Sequence, residues 1–177
     1  MKHRALNSAS VAASALVLAL ALTGCTVNLG TSGGTGGGSN TNSSNQDSGG
    51  DIASDLTAYV SEITPLASEE QDILDRYGAV TGDNYTDDQT TYNALNALVP
   101  DTNKYISKLE AIHPTTATLQ EIHAKYVDAW NKYSEAFQVS MSALESQDRA
   151  TLAQANDLLA QARKLVIEWQ NDLKALK

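Results

Sequence analysis

The chain reads as an all-α protein, an up-down-up-down four-helix bundle over residues 51–177. Three observations predict this. From Asp51 onward apolar residues recur at three- and four-residue spacing in four successive segments of about 27–32 residues. No run alternates with period two, so there is no strand signal. The joining stretches are short, which makes neighbouring helices antiparallel. Near 125 residues is enough chain to enclose one sizeable core.

The first segment carries Ile52, Leu56, Tyr59, Ile63, Leu66, Ile73 and Tyr77 on one face. Asp51 suits its N-cap and Gly78 its C′ position. Pro65 lies inside. The stripe keeps phase across it, which favours a kink over a turn; the alternative is a break at Thr64 with Pro65 opening a new helix. Ala79 to Tyr85 is a loop. Thr86, with Gln89 three residues on, matches a capping box for the second segment. Its stripe is Tyr92, Leu95, Val99, Thr102, Ile106, Leu109 and Ile112, with Pro100 inside and Pro114 ending it.

The third segment starts near Thr115 to Thr118. It carries the clearest stripe: Leu119, Ile122, Tyr126, Trp130, Tyr133, Phe137, Met141 and Leu144. Ser146-Gln147-Asp148 is the turn, with Asp148 as N-cap. The fourth segment alternates three and four throughout: Leu152, Ala155, Leu159, Ala162, Val166, Trp169, Leu173 and Leu176. Reflecting each antiparallel hairpin about its turn, near positions 82, 114 and 147, predicts which residues share a level. Pro65 then falls opposite Pro100, beside Trp130, either because two kinks make room for the indole or by coincidence.

Ahead of the helices stand two stretches of other composition. Met1 to Arg4 is positive and Val11 to Leu22 is an apolar run too short for a comfortable span. It ends in Leu22-Thr23-Gly24-Cys25, which holds the only cysteine. This resembles the lipobox of bacterial lipoproteins. The resemblance implies that residues 1–24 are a signal peptide cut after Gly24. Cys25 would then become an N-terminus bearing a diacylglyceryl thioether, and the domain would be anchored outside the cytoplasm in the cell membrane, or the outer membrane in a diderm cell. Residues 25–50 are the lipidated cysteine and a linker of Gly, Ser, Asn and Thr, whose only charge is Asp47. That composition cannot bury enough apolar surface to order itself. As a coil it would span roughly 25–30 Å, and on the order of 80–90 Å when stretched.

Charge and cysteine content narrow the function classes. The net charge is −9; without residues 1–24, ten bases face 21 acids. Nucleic acid, whose phosphates need a basic face, is excluded as a partner. One cysteine allows no internal disulfide, so packing alone must hold the fold.

Chemistry-bearing residues are few. The reflections place His123 level with Tyr59 or Val60, with Tyr105, and with Asn171 or Asp172, the one cluster resembling a polar pocket for a small ligand; the plainer reading is a core His bonded to a neighbour. Glu70 interrupts the first stripe level with Tyr133. It is either a buried carboxylate bonded to that phenol, in which case Glu70→Leu stabilises if Tyr133 can turn to water, or a solvated rim residue. Glu110-Ala111-Ile112-His113 has the Glu-x-x-His spacing of di-iron bundles, but only once and at a helix end, so no metal site and no cofactor is expected. Asp83, Asn84, Asp87 and Asp88 lack the spacing of a calcium loop. No nucleophile–base pattern or phosphate loop is present. The expectation is a non-enzymatic surface module that binds a protein or cell-envelope partner. The alternative is a small-ligand or metal-binding sensor using the interior near His123.

Overall fold

The computed structural model describes residues 51–176; residues 1–50, with Gly24, Cys25 and the linker, and Lys177 lie outside the described residues. The described chain is all-helical: α1 Ile52–Ile63, α2 Ala67–Gly78, α3 Asp88–Glu110, α4 Ala117–Ser146 and α5 Arg149–Ala175, with single 3₁₀ turns at Thr64–Leu66 and Gly82–Asn84. Among the described residues there is no strand, and no helix is long and apolar enough to cross a membrane.

Local chemistry sets most boundaries. Asp51 caps α1 by accepting the Ala53 N–H at 3.2 Å. Asp148 caps α5, accepting from Ala150 and Thr151 N–H. The capping box at Thr86 does not form: Asp87 is the N-cap of α3 and accepts from Thr90 N at 2.8 Å and Thr90 Oγ1 at 2.8 Å. Asp outcompetes Thr one position earlier because its carboxylate bonds two donors and meets the positive end of the helix. Gly78 is not a left-handed C′ residue either. It is the last residue of α2, and Ala79 closes the helix in right-handed geometry with its N–H on Asp75 O at 2.9 Å. The left-handed positions are Gly82 (φ +59) and Gln147 (φ +55), the latter at the α4–α5 turn.

Pro65 sits in the Thr64–Leu66 turn, where the backbone stays right-handed from Ile63 to Ala67. Proline supplies no N–H, so the ladder tightens to 3₁₀ and resumes rather than turning back. Pro100 lies within an uninterrupted α3, on its exposed face.

The helices pack α2 on α3, α3 on α4, α4 on α5 and α1 against α4. Trp130, Phe137, Leu109, Leu119 and Tyr126 are among the most deeply enclosed side chains. On α5 the buried positions Ala155, Leu159, Ala162, Val166, Trp169 and Leu173 are those of the expected stripe. On α3 the phase differs: Thr91, Leu95, Leu98, Thr102, Tyr105, Ile106 and Leu109 are buried, whereas Tyr92 and Val99 are half-buried. This helix lies between α2 and α4 and is covered on two sides.

Levels between α2 and α3 also differ from the reflection about position 82. The pairs Arg76–Asp101 and Glu69–Lys108 share a midpoint between residues 88 and 89. Pro100 therefore stands opposite Tyr77, and Pro65 opposite the chain near Ile112. The two prolines do not share a level.

Candidate functional site

The interior is polar in one layer, where α1, α3, α4 and α5 meet. His123, 6% exposed, points from α4 toward α1. Its Nε2 lies 3.0 Å from the Leu109 carbonyl and its Nδ1 3.1 Å from the Tyr59 hydroxyl. A carbonyl only accepts, so Nε2 carries the hydrogen and Nδ1 is the acceptor. Tyr59 must then donate to Nδ1. Its oxygen in turn accepts the Trp169 indole N–H at 2.9 Å. The result is a directed chain, Trp169 to Tyr59 to His123 to Leu109, in which every buried polar atom has a partner. Burial holds the His123 pKa below the usual 6.5, with nearby His113 adding to this; the Leu109 carbonyl and Glu62 oppose it. Burial also raises the Tyr59 phenol, against the Trp169 hydrogen bond.

A second chain runs one layer along. The Tyr126 hydroxyl donates to Glu70 Oε2 at 2.8 Å and lies 2.9 Å from the Tyr105 hydroxyl. With its own proton on Glu70, Tyr126 accepts from Tyr105. The Glu70 pKa is raised from the usual 4.5 by burial, which outweighs the Tyr126 hydrogen bond. Tyr126 stacks on Trp169 with centroids 4.0 Å apart and an interplanar angle of 13°, which joins the two chains.

The expected cluster is therefore divided. His123 and Tyr59 are bonded. Tyr105 belongs to the second chain. Asp172 is not in the interior: it accepts from Lys125 Nζ at 2.6 Å on the surface. Tyr133 is not the partner of Glu70. It is buried, with its ring tilted against those of Trp130 and Phe137, and Tyr126, two turns earlier on the same face of α4, takes the role. The α2–α3 reflection point lies six residues further along than expected, which moves the level of Glu70 on α3 by twelve residues and so brings it to Tyr126 instead of Tyr133.

One polar residue had no sequence signal. Asp55 of α1, 8% exposed, accepts from Thr115 N (3.0 and 3.1 Å), Thr116 N (2.8 Å) and Thr116 Oγ1 (2.7 Å). Thr116 is the N-cap of α4 but makes no cap bond to its own helix. A carboxylate from another helix caps α4 in its place. Desolvation raises the Asp55 pKa, but the Thr115 and Thr116 bonds together outweigh it and hold the carboxyl below the usual 3.8.

Elsewhere the candidates are structural. His113 lies past the end of α3, so Glu110 and His113 are not on one helical face. Both line an open depression of about 420 Å³ beside the edge of His123. Among the described residues no three of His, Cys, Asp and Glu converge as metal ligands. In the acidic loop, Asp87 caps α3, and Asp88 accepts from Tyr85 Oη (2.6 Å) and Gln147 Nε2 (2.7 Å). Comparison with known proteins returns no matching family model, no matching curated protein and no matching solved structure.

Proposed function

We propose that the chain is a lipid-anchored extracytoplasmic protein whose helical part is a non-enzymatic interaction module. Residues 1–24 are the export signal, Cys25 is the acylated N-terminus, and residues 26–50 are the spacer between membrane and domain. The four helical segments form an antiparallel up-down-up-down bundle, with α1 and α2 together as the first. One observation carries the reading: Leu22-Thr23-Gly24-Cys25 stands directly behind a positive n-region and an apolar run. Two or more acyl chains on one cysteine give stable anchoring where a single chain does not.

The interior supports a binding module acting through its surface. Both ring nitrogens of His123 are already bonded within the chain, and Tyr105, Tyr126 and Glu70 satisfy one another. A ligand at His123 would have to displace bonds that also hold α1 in place. The sensor reading is the weaker for that reason. An excess of acids over bases favours a protein or uncharged wall polymer as partner over nucleic acid.

The test is fractionation of cells expressing wild type or Cys25→Ser, combined with protease treatment of intact cells. Wild type should partition with membranes and be cleaved from outside. The variant should appear in the medium or remain as the longer, unprocessed chain. Identical size and partitioning of the two would refute the anchor.

A further inference from the structure

The helix α1 is held differently from its neighbours. α2 is tied to α3 by Arg76–Asp101 and Lys108–Glu69 and to α4 by Tyr126–Glu70. None of the ion pairs among the described residues involves α1. Among the described residues its side-chain attachments to other helices are two: Asp55 on the entry to α4, and Tyr59 between His123 and Trp169. Its C-terminal end meets the 3₁₀ turn of Pro65, where a helical hydrogen bond is missing. Both attachments depend on a titratable acceptor in its unprotonated form.

We propose that α1 is an acid-released strap: protonation of His123, and in stronger acid of Asp55, detaches residues 52–63 from α4 and α5, with the Thr64–Leu66 turn as hinge, while α2 to α5 stay assembled. The proton enters at His123 Nδ1, the ring's acceptor. Nε2 keeps the Leu109 carbonyl. Nδ1–H then points at an oxygen that already accepts from Trp169, and the Tyr59 proton is left in the interior without an acceptor. Protonating Asp55 removes the negative charge at the α4 N-terminus and converts one acceptor oxygen to a donor facing N–H groups.

The groups around each site set the direction. His123 faces Tyr59 and Glu62 from α1, the Leu109 carbonyl from α3, His113 from the α3–α4 connection and, through Tyr59, Trp169 from α5. Glu62 favours the charged ring, whereas burial and His113 disfavour it, and burial dominates. Asp55 faces Thr115 and Thr116. Both folded pKa values lie below their ordinary ones. The released state therefore binds more protons, and acid favours release at both sites. Glu70, of opposite sign, sits on α2 beyond the hinge.

Hydrogen exchange of the full chain at pH 7.5, 6 and 5, normalised for the intrinsic exchange rate, tests this. Amides of residues 52–63 should lose protection by about tenfold for each pH unit over which the released state binds one more proton. Residues 117–146 and 149–175 should keep theirs. The ring signals of His123, followed by NMR, should titrate at the acid end of the pH window over which α1 loses protection. His123→Gln and His123→Asn, which cannot titrate, should make α1 protection independent of pH across this range. The proposal is overturned by α1 protection unchanged down to pH 5, by loss shared equally among all helices, or by a His123 midpoint unrelated to α1 opening. These readouts hold whether or not Cys25 is acylated.

Discussion

Tyr126 donates its hydroxyl proton to Glu70 Oε2 at 2.8 Å, so the half-buried carboxylate of α2 is bonded to the most enclosed face of α4. Its pKa is raised, because burial outweighs that bond. Between the unfolded value near 4.5 and the raised folded value, the folded state binds more protons, so this group makes stability fall as pH rises. Glu70→Gln keeps an acceptor for Tyr126 and removes the charge. It should match wild type at pH 4 and equal or exceed it at pH 7 in urea denaturation; a loss of more than about 1 kcal/mol at pH 7 would contradict this. Glu70→Leu should instead destabilise by about 1–3 kcal/mol, because Tyr126 is 1% exposed and cannot turn its hydroxyl to water. This reverses the expectation drawn from Tyr133.

Removing the inter-helix cap should be costly. Asp55→Ala strands two backbone N–H groups and the Thr116 hydroxyl, and should cost about 2–4 kcal/mol. Asp55→Asn keeps an acceptor and should cost about half as much. The wild-type contribution is present above the unfolded pKa near 3.8 and is lost as pH falls through the lower folded value. Thermal denaturation from pH 2 to pH 7 checks both; a wild-type advantage over Asp55→Asn that persists undiminished at pH 2 would contradict the assignment.

The two tryptophans separate packing from hydrogen bonding. Both are almost fully buried, and either change to Ala should cost about 3–5 kcal/mol. Trp130 Nε1 has no partner among the described residues, whereas Trp169 Nε1 bonds Tyr59. Trp169→Phe should therefore cost about 1 kcal/mol more than Trp130→Phe. Glu135→Ala, on the exposed face of α4, should change stability by no more than about 0.5 kcal/mol. Equal costs for the two Phe variants would remove Trp169 from the hydrogen-bond chain.

What was legible in the sequence follows from how each helix is covered. α5 has one covered face, and its strict three-four alternation named the buried residues. α3 is covered by both α2 and α4, so Leu98 and Tyr105 are buried as well as Leu95 and Thr102, and a single stripe misassigned the phase. His123 and Tyr59 do meet, at the level where two successive reflections placed them. Tyr133 was misplaced because the reflection about position 82 sets α3 at the wrong level along α2, whereas Tyr105 and Asp172 lie near their expected level but turn to other partners, Tyr126 and Lys125. Asp55 was illegible: its partner is a backbone end 60 residues away, and no local pattern marks a carboxylate that caps another helix.

Pro100 offers a test of the α3 backbone. It interrupts one i to i−4 bond in mid-helix on an exposed face. Pro100→Ala should restore that bond with the Asn96 carbonyl and stabilise by roughly 1–3 kcal/mol, read from the urea midpoint. A destabilised variant would mean that α3 needs the distortion for its packing between α2 and α4.

The anchor is the claim on which location and role both rest. Intact mass and N-terminal fragment spectra of the protein extracted from membranes test it most directly. The mature chain should begin at Cys25, with its sulfur carrying a diacylglyceryl group and no residue before it. A chain that begins at Met1, or a Cys25 with a free thiol in the membrane-extracted protein, would contradict it.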